Sequence, residues 1–416
     1  MSGDVNKTRP NGLRRIAIIL LVCSIVQFST IWYYPESVFS GINTAIQEKS
    51  FGVPFQYTLW LVLALTFVYD ASNSKLDFYL SVCKPYVCFL FFGVLSSLFG
   101  VMPFDSFRLI FLFIVMLLAA TLPVAVLSSS DVHRISYHSF VFIIVASVVV
   151  AILVPHVGVQ SYGGVPAWRG LFTNKNTFGW FSAICFIISV IFFDRAHKVK
   201  SLFFVLFPVL ALLLSQSKGS LVSAFAALIF IPLLVFLQKR VSLWVAFFAF
   251  LIIFIIVSLL GYFFFTDVLL LLGRDPTLTG RTVIWNMYFN SMLARPFLGG
   301  GAGSYTSLSE LTFPIAYRLQ DMGAILTPHN IYLAAFGESG LIGFLSFVGI
   351  LFYFSFFQYF NYANIYSLAC SAISILLLIG GFTDTHEVFS PGFTMFTIVM
   401  FRALALKNSR DLAVMY

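Results

Sequence analysis

Long apolar runs alternate with short polar stretches along almost the whole chain. A membrane-spanning helix needs about 20 predominantly apolar residues. Runs approaching that length fall at 16–34, 53–69, 85–102, 107–127, 139–157, 176–193, 201–215, 219–237, 241–265, 340–358, 366–382 and 391–406, the seventh being short. The pattern predicts an all-α polytopic membrane protein with about 12 transmembrane helices. It divides the chain into an N-terminal stretch 1–15, spans one to nine over 16–265, a large loop with short helices at 266–339, spans ten to twelve over 340–406, and a tail 407–416. The long loop lies between spans nine and ten. The two halves show no matching hydropathy, unlike a transporter built from repeats.

Composition supports the membrane reading. Of 416 residues, 60% are hydrophobic and only 10% charged, too little polar surface to clothe a soluble protein of this size. The 51 Phe residues suit a surface that faces lipid. The first run begins near Ile16 without a small-residue cleavage site, so a retained first span is expected rather than a removed signal peptide. Cys23, Cys83, Cys88, Cys185 and Cys370 lie in or beside apolar runs without zinc-type spacing, and read as small buried hydrophobes.

Charge sets the orientation. With the N-terminus in the cytoplasm, nine of the 24 Lys and Arg residues fall outside and the other fifteen inside. Both termini are therefore expected in the cytoplasm and the loop 266–339 on the outer face. Asp194-Arg-Ala-His-Lys-Val-Lys200 and Gln238-Lys-Arg240 have the character of inner connections. The net charge of +8 includes no Lys/Arg run dense enough for nucleic acid. The nine outer cations are Lys49, Arg108, Arg169, Lys175, Lys218, Arg274, Arg281, Arg295 and Arg318. The positive-inside rule should remove them, so an anionic ligand at the outer face is the simplest reason to keep them.

Several of these cations sit in motifs. In Trp168-Arg-Gly-Leu-Phe-Thr-Asn-Lys-Asn-Thr-Phe-Gly179, Asn174 or Asn176 can cap a helix that begins at Lys175, adding the dipole to its charge. Taken alone, this stretch fits an interfacial anchor equally well, with Trp168 in the aromatic belt and Arg169 and Lys175 snorkelling. Ser215-Gln-Ser-Lys-Gly-Ser220 is a polar turn between apolar runs. A tight turn explains its Ser and Gly but not Lys218, since a cation near the bilayer needs water or a partner. Thr279-Gly-Arg-Thr-Val-Ile-Trp-Asn286 opens a helix that Pro296 ends, with Arg281, Trp285 and Tyr288 on one face. An amphipathic helix resting on the membrane fits that stretch too.

Gly299-Gly-Gly-Ala-Gly-Ser304 lacks the Lys of a phosphate-binding P-loop and the preceding strand of a dinucleotide fingerprint. It reads first as a flexible turn, and second as a backbone nest for phosphate. In Thr327-Pro-His-Asn-Ile-Tyr-Leu333, Thr327 suits the N-cap and Pro328 the first helical position. His329 would then lie in the first turn, where the positive helix end keeps imidazole neutral and able to accept a proton. His133 and His197 fall inside, His138 at a span edge, and His156 and His386 outside. No His pair has zinc spacing. The outer carboxylates Asp267, Asp275, Glu310, Asp321, Glu338, Asp384 and Glu387 form no metal cluster in the sequence, so metal-independent chemistry without a cofactor is expected.

These motifs, in order, resemble the O-antigen ligase and O-antigen/exopolysaccharide polymerase superfamily of bacterial membrane glycosyltransferases. The matching elements are Arg169-Gly-Leu-Phe-Thr-Asn-Lys-Asn176, Ser215-Gln-Ser-Lys218, Thr279-Gly-Arg-Thr-Val-Ile-Trp285 running on to Arg295-Pro-Phe-Leu-Gly-Gly-Gly301, and His329-Asn330 in the pattern His-Asn-x9-Gly-x-x-Gly, with Gly340 and Gly343 in register. The resemblance covers roughly residues 165–345. Many ligases end the Ser-rich turn in Arg; Lys218 keeps the charge without the bidentate fork.

The resemblance implies transfer of a glycan from an undecaprenyl-diphosphate-linked oligosaccharide to a sugar hydroxyl at the periplasmic face of the bacterial inner membrane. It implies catalytic roles for His329, as base, and Arg281. It assigns pyrophosphate binding to Lys218, Arg169, Lys175 and Asn330, with inversion at the anomeric carbon. The acceptor would be a lipid-linked repeat unit for a polymerase, with a chain-length regulator as a further partner, or lipid A-core for a ligase. Membrane lipid is a partner in either case. The loop length and the Thr279–Trp285 stretch lean toward polymerase, and the His-Asn-x9-Gly-x-x-Gly fit toward ligase. A transporter of lipid-linked oligosaccharide would place charges within the spans, which are nearly free of them.

Overall fold

The computed structural model describes residues 11–31, 52–71, 76–162, 165–263, 281–319, 327–382 and 388–415. Described helices overlap every apolar run predicted from the sequence. They are α1 (Asn11–Phe28), α2 (Gly52–Asp70), α3 (Leu76–Cys83), α4 (Val87–Leu98), α5 (Pro103–Val126), α6 (Ser129–Leu153), α7 (Lys175–Ile191), α8 (Lys198–Leu214), α9 (Lys218–Arg240) and α10 (Leu243–Phe263), then α11 (Arg281–Met292), α12 (Phe313–Arg318), α13 (Ile331–Phe352), α14 (Ile365–Gly380) and α15 (Phe393–Met415). Among the described residues six helical stretches are long and apolar enough to cross a membrane: Asn11–Phe28, Leu76–Leu98, Pro103–Val126, Ser129–Leu153, Lys218–Arg240 and Ile331–Tyr362. Lys175–Ile191, Leu243–Ile256 and Ile365–Gly380 are shorter apolar helices.

The core is built where helices are apolar on every side. α14 buries Ala369 through Leu378 without interruption, and α5 buries Val115 through Val126 except Leu118. Both pack on α15, and α14 also packs on α9 and α7. Ring contacts extend from this centre, as in Phe89 stacked on Phe389 at 4.4 Å and Phe181 against Phe393 at 4.4 Å. α10 has a more exposed apolar surface, including Trp244, Phe248 and Ile252.

Buried and capping cations mark one end of the bundle. A short 3₁₀ turn over Lys84–Tyr86 joins α3 to α4, and Pro85 has no N–H to give the carbonyl of Ser81. The buried Arg402 fills that gap. It donates to Ser81 O at 2.8 Å, Val82 O at 3.0 Å and Gln358 Oε1 at 2.6 Å. Lys407 Nζ donates to Val124 O at 2.9 Å, and also to Leu127 O, at the C-terminal end of α5, where a cation meets the negative end of the dipole. Asp131, at the start of α6, pairs with Arg14 at 2.9 Å and Arg134 at 3.1 Å.

The sequence reading contains no strand, yet a two-stranded antiparallel hairpin pairs β1 (Val159–Tyr162) with β2 (Val165–Trp168) ahead of α7. α13 begins at Ile331, nine residues before the run at 340–358, and continues through a π-helical turn at Tyr353–Phe357 to Tyr362. It is broken where the predicted run begins: Gly340 has φ +65° and ψ −172°.

Candidate active site

Three helix starts lie together at the end of the bundle opposite Arg402. α7 begins at Lys175 behind the N-cap Asn174, whose Oδ1 accepts from Thr177 N at 2.9 Å. α9 begins at Lys218 behind Ser217. In the preceding turn Ser215 Oγ donates to Leu212 O at 2.6 Å and accepts from Ser217 N at 3.2 Å. Gly179, in the first turns of α7, packs directly on this turn; a Cβ there would lie 2.9 Å from both Ser215 Oγ and Ser217 Oγ. α13 begins at Ile331 behind Asn330, whose Oδ1 accepts from Tyr332 N at 2.9 Å and Leu333 N at 3.1 Å.

The C-terminal end of α14 links these starts. Ile331 N donates to Gly381 O at 2.8 Å and Asn330 Nδ2 to Phe382 O at 3.3 Å. On its other side, a Cβ at Gly380 would lie 2.6 Å from the Trp180 ring of α7 and 2.7 Å from Ser223 Oγ of α9. Each helix start carries about half a positive charge. Lys175 and Lys218 add full charges at two of them. Lys218 is half-buried and makes no hydrogen bond or ion pair among the described residues. Together these groups form an electropositive end suited to an anion.

His329 lies beside this junction, but not where the sequence suggested. The N-cap is Asn330 rather than Thr327, because the Asn330 amide reaches the first free N–H groups of α13. His329 therefore precedes the helix instead of occupying its first turn. Its backbone is left-handed at φ +48°. Gln216, just before the Ser217 cap, is left-handed too at φ +53°. Such a conformation costs a side-chain-bearing residue on the order of 1–3 kcal/mol, and it is kept where the surroundings enforce it.

Arg281 opens α11. The ring centroids of Phe289 and Phe336 lie 6.2 Å apart, a Cβ on Gly337 would lie 2.7 Å from Met292 Cε, and Leu341 N donates to Pro296 O at 2.8 Å. Residue numbers rise together across these contacts, so α11 runs parallel to α13. Arg281 and His329 thus belong to the same end of a helix pair. The buried face of α11 is Ile284, Tyr288 and Met292, packed with Tyr305, Ile315 and Leu319. Of the predicted face, Tyr288 joins it, while Arg281 and Trp285 are half-buried. Burial pushes the Tyr288 phenol well above its usual range, with the neighbouring Tyr305 adding to the rise. The helix stops at Met292, before Pro296.

The glycine-rich stretch is not a flexible turn, and its first N–H groups form no open phosphate nest. Gly300 N donates to Gly337 O at 2.8 Å and Gly301 N to Glu338 O at 3.0 Å. Ser96 and Ser97 in α4 accept from Gly301 N at 3.1 Å and Ala302 N at 3.4 Å, and Ser106 Oγ donates to Ala302 O at 2.7 Å. Gly299, Gly301 and Gly303 have φ of +74°, +98° and +78°, which is why glycine recurs here. The fully buried Glu338 accepts from Thr306 Oγ1 at 2.6 Å through Oε1.

Other predicted residues take supporting positions. Arg169 Nε donates to Val157 O at 2.7 Å and Nη1 to Thr173 O at 3.3 Å, bracing the hairpin. Asn330 is a cap and tether. Thr279, Asp267, Arg274, Asp275, Asp321, Asp384, His386 and Glu387 lie outside the described residues. Among the described residues, no three His, Cys, Asp or Glu side chains gather as metal ligands.

A family model described as O-antigen ligase matches residues 203–348. The matched stretch includes Lys218, Arg281, His329, Asn330 and Glu338, whereas Arg169, Lys175 and the serines of α4 and α5 precede it. A comparison with curated proteins returns no match.

Proposed function

We propose, from the match of residues 203–348 to a family model described as O-antigen ligase, that this chain transfers an undecaprenyl-diphosphate-linked glycan to a sugar hydroxyl at the periplasmic face of the inner membrane. The reading further takes the chain to cross the bilayer about twelve times, with both termini in the cytoplasm, and to extend its own product as a polymerase of O-antigen or exopolysaccharide repeat units. The observation that carries it is the meeting of three helix starts, two of them opened by Lys175 and Lys218, at the same end as Arg281 and His329.

In this mechanism the lipid diphosphate lies against Lys218, Lys175 and Arg281. These cations hold the charge that develops as the bond between the anomeric carbon and the diphosphate oxygen breaks. Arginine matches phosphate with its planar fork, and lysine acts as a point charge. His329 takes the proton from the acceptor hydroxyl as that oxygen bonds the anomeric carbon from the opposite side, which inverts the configuration. No metal enters the scheme. Arg169 and Asn330, whose side chains are engaged with backbone carbonyls and N–H groups, serve it by shaping the turns that present Lys175 and His329.

The test is transfer by purified protein in detergent from a lipid-linked donor. Wild type should form product. His329→Ala, at equal protein level, should lose about 10²–10⁴-fold in rate, the usual cost of removing a general base. Arg281→Ala should also abolish measurable transfer. Wild-type rates from either variant would refute the mechanism, and transfer in detergent excludes a transporter. Ligation to lipid A-core is the second reading, favoured by the description of the matching family. In a deletion strain, core carrying one repeat unit indicates a lost polymerase, and bare core with chains held on carrier lipid indicates a lost ligase.

A further inference from the structure

The break in α13 faces the glycine-rich loop, which is held by hydrogen bonds to α4, α5 and α13. At a helix break, backbone groups near the gap lose their i→i−4 partners. Here three of them are satisfied by one passing segment. Gly337 O receives Gly300 N at 2.8 Å, Glu338 O receives Gly301 N at 3.0 Å, and Leu341 N reaches Pro296 O at 2.8 Å. Glu338 O also accepts from Ser96 Oγ. The Glu338 side chain then bonds Thr306 Oγ1 at 2.6 Å, beyond the far end of the glycine-rich stretch. Glu338 lies seven residues past Ile331, or about 10 Å down the helix at 1.5 Å per residue. Irregular backbone this deep in a membrane protein needs protein partners for its polar groups, and the break supplies them.

We infer that Glu338 and Thr306 form the closing bond of a clamp that fixes α11 in register along α13, so that Glu338 is a positioning residue for glycan transfer. A buried acid side chain that loses a hydrogen-bond partner carries a desolvation penalty, and movement of the loop relieves it. The loop is continuous with α11 through Arg295 and Pro296, so its movement shifts Arg281 relative to His329. Glu338 acts through the distance between those two residues. The catalytic consequence rests on the transfer reading given above, whereas the clamp does not.

The experiment compares Thr306→Val, which keeps the shape but removes the hydroxyl, with Thr306→Ser, which keeps the donor. Amide hydrogen exchange of the full chain in detergent reads the clamp directly. In Thr306→Val the amides of 299–304 and 341 should exchange at least about tenfold faster, with α14 unchanged; Thr306→Ser should retain wild-type protection. Transfer kinetics read the consequence. Thr306→Val should lose up to about 10²-fold in kcat, the scale of a 1 Å misplacement, and Thr306→Ser should recover it. Wild-type protection in Thr306→Val, or exchange that rises equally throughout the chain, overturns the clamp. Faster local exchange with unchanged kcat overturns the positioning role. If the wild-type protein transfers no glycan, the function reading fails while the exchange result still decides the clamp.

Discussion

Gly340→Ala is the most demanding test of the break in α13. At φ +65° and ψ −172°, Gly340 occupies a region of backbone space that is essentially reserved for glycine, and a side chain there costs about 1–3 kcal/mol before any contact is counted. The added Cβ would also collide with the carbonyl group of Phe297 and lie 2.6 Å from Leu298 N. Those are backbone atoms with no rotamer to change, so the segment must move. The movement stretches the bonds from Leu341 N to Pro296 O and from Gly300 N to Gly337 O, each 2.8 Å. Losing one buried hydrogen bond of this kind costs about 1–3 kcal/mol. Strain and one lost bond together give about 2–6 kcal/mol of destabilisation.

Gly349 provides the control in the same helix. A Cβ there meets nothing within 4 Å, and Gly→Ala in a helix interior gains about 0.8–1 kcal/mol. Melting followed by size-exclusion in detergent should show Gly340→Ala well below wild type and Gly349→Ala at or above it. If Gly340→Ala melts with wild type, the break does not exist as described.

Asn330→Ala should lower stability by about 1 kcal/mol through loss of the helix cap, whereas Asn330→Asp, which keeps the acceptor for Tyr332 N and Leu333 N, should lose less; equal melting temperatures for the two variants would contradict the capping role. The Tyr288 and Tyr305 phenols are both raised by burial. The folded state therefore holds their protons more tightly than the unfolded one, and their contribution is full below the unfolded value of about 10 and lost as pH rises above it. A series of melting curves from pH about 8 to 11 should fall less steeply for Tyr288→Phe than for wild type.

The helices were legible because apolar runs of span length report burial in lipid or core directly, as at Pro103–Val126 and Ile365–Gly380. Two of the three helix starts, with their cations, were legible too, since Asn174 has the chemistry of an N-cap and Lys175 and Lys218 stand where a charge taken out of water is costly. Local reasoning failed where a longer-range bond decided the outcome. Thr327 and Pro328 satisfy every local rule for a helix start, yet Asn330 takes the cap and is tethered to Phe382, 52 residues away. The hairpin carried a signal, the Gly163-Gly164 pair between residues 159–162 and 165–168, that the apolar pattern of its neighbours obscured. The glycine-rich stretch looked mobile because its partners, Ser96, Ser97 and Ser106, lie about two hundred positions away in an N-terminal third read only as spans. Serine in an apolar helix gives no hint of its partner. Sequence gives no sign that Arg169 donates through Nε and Nη1 to the carbonyls of Val157 and Thr173.

Those three serines have a consequence for how the protein is made. They leave the ribosome long before the loop that they hold, which follows Ser96 by 205 residues at Gly301. In the interval Ser97 can rest on Gly93 O within its own helix, a bond of 2.7 Å that it retains in the finished protein. That serine can therefore enter lipid with its hydroxyl satisfied while the groove that receives the loop is still vacant. Only when Gly299–Ser304 and α13 have been synthesised can Arg281 and His329 be brought to one end of the same helix pair. Under the proposed mechanism an unfinished chain is an inactive one, and the glycine-rich loop acts as the keystone of the assembly.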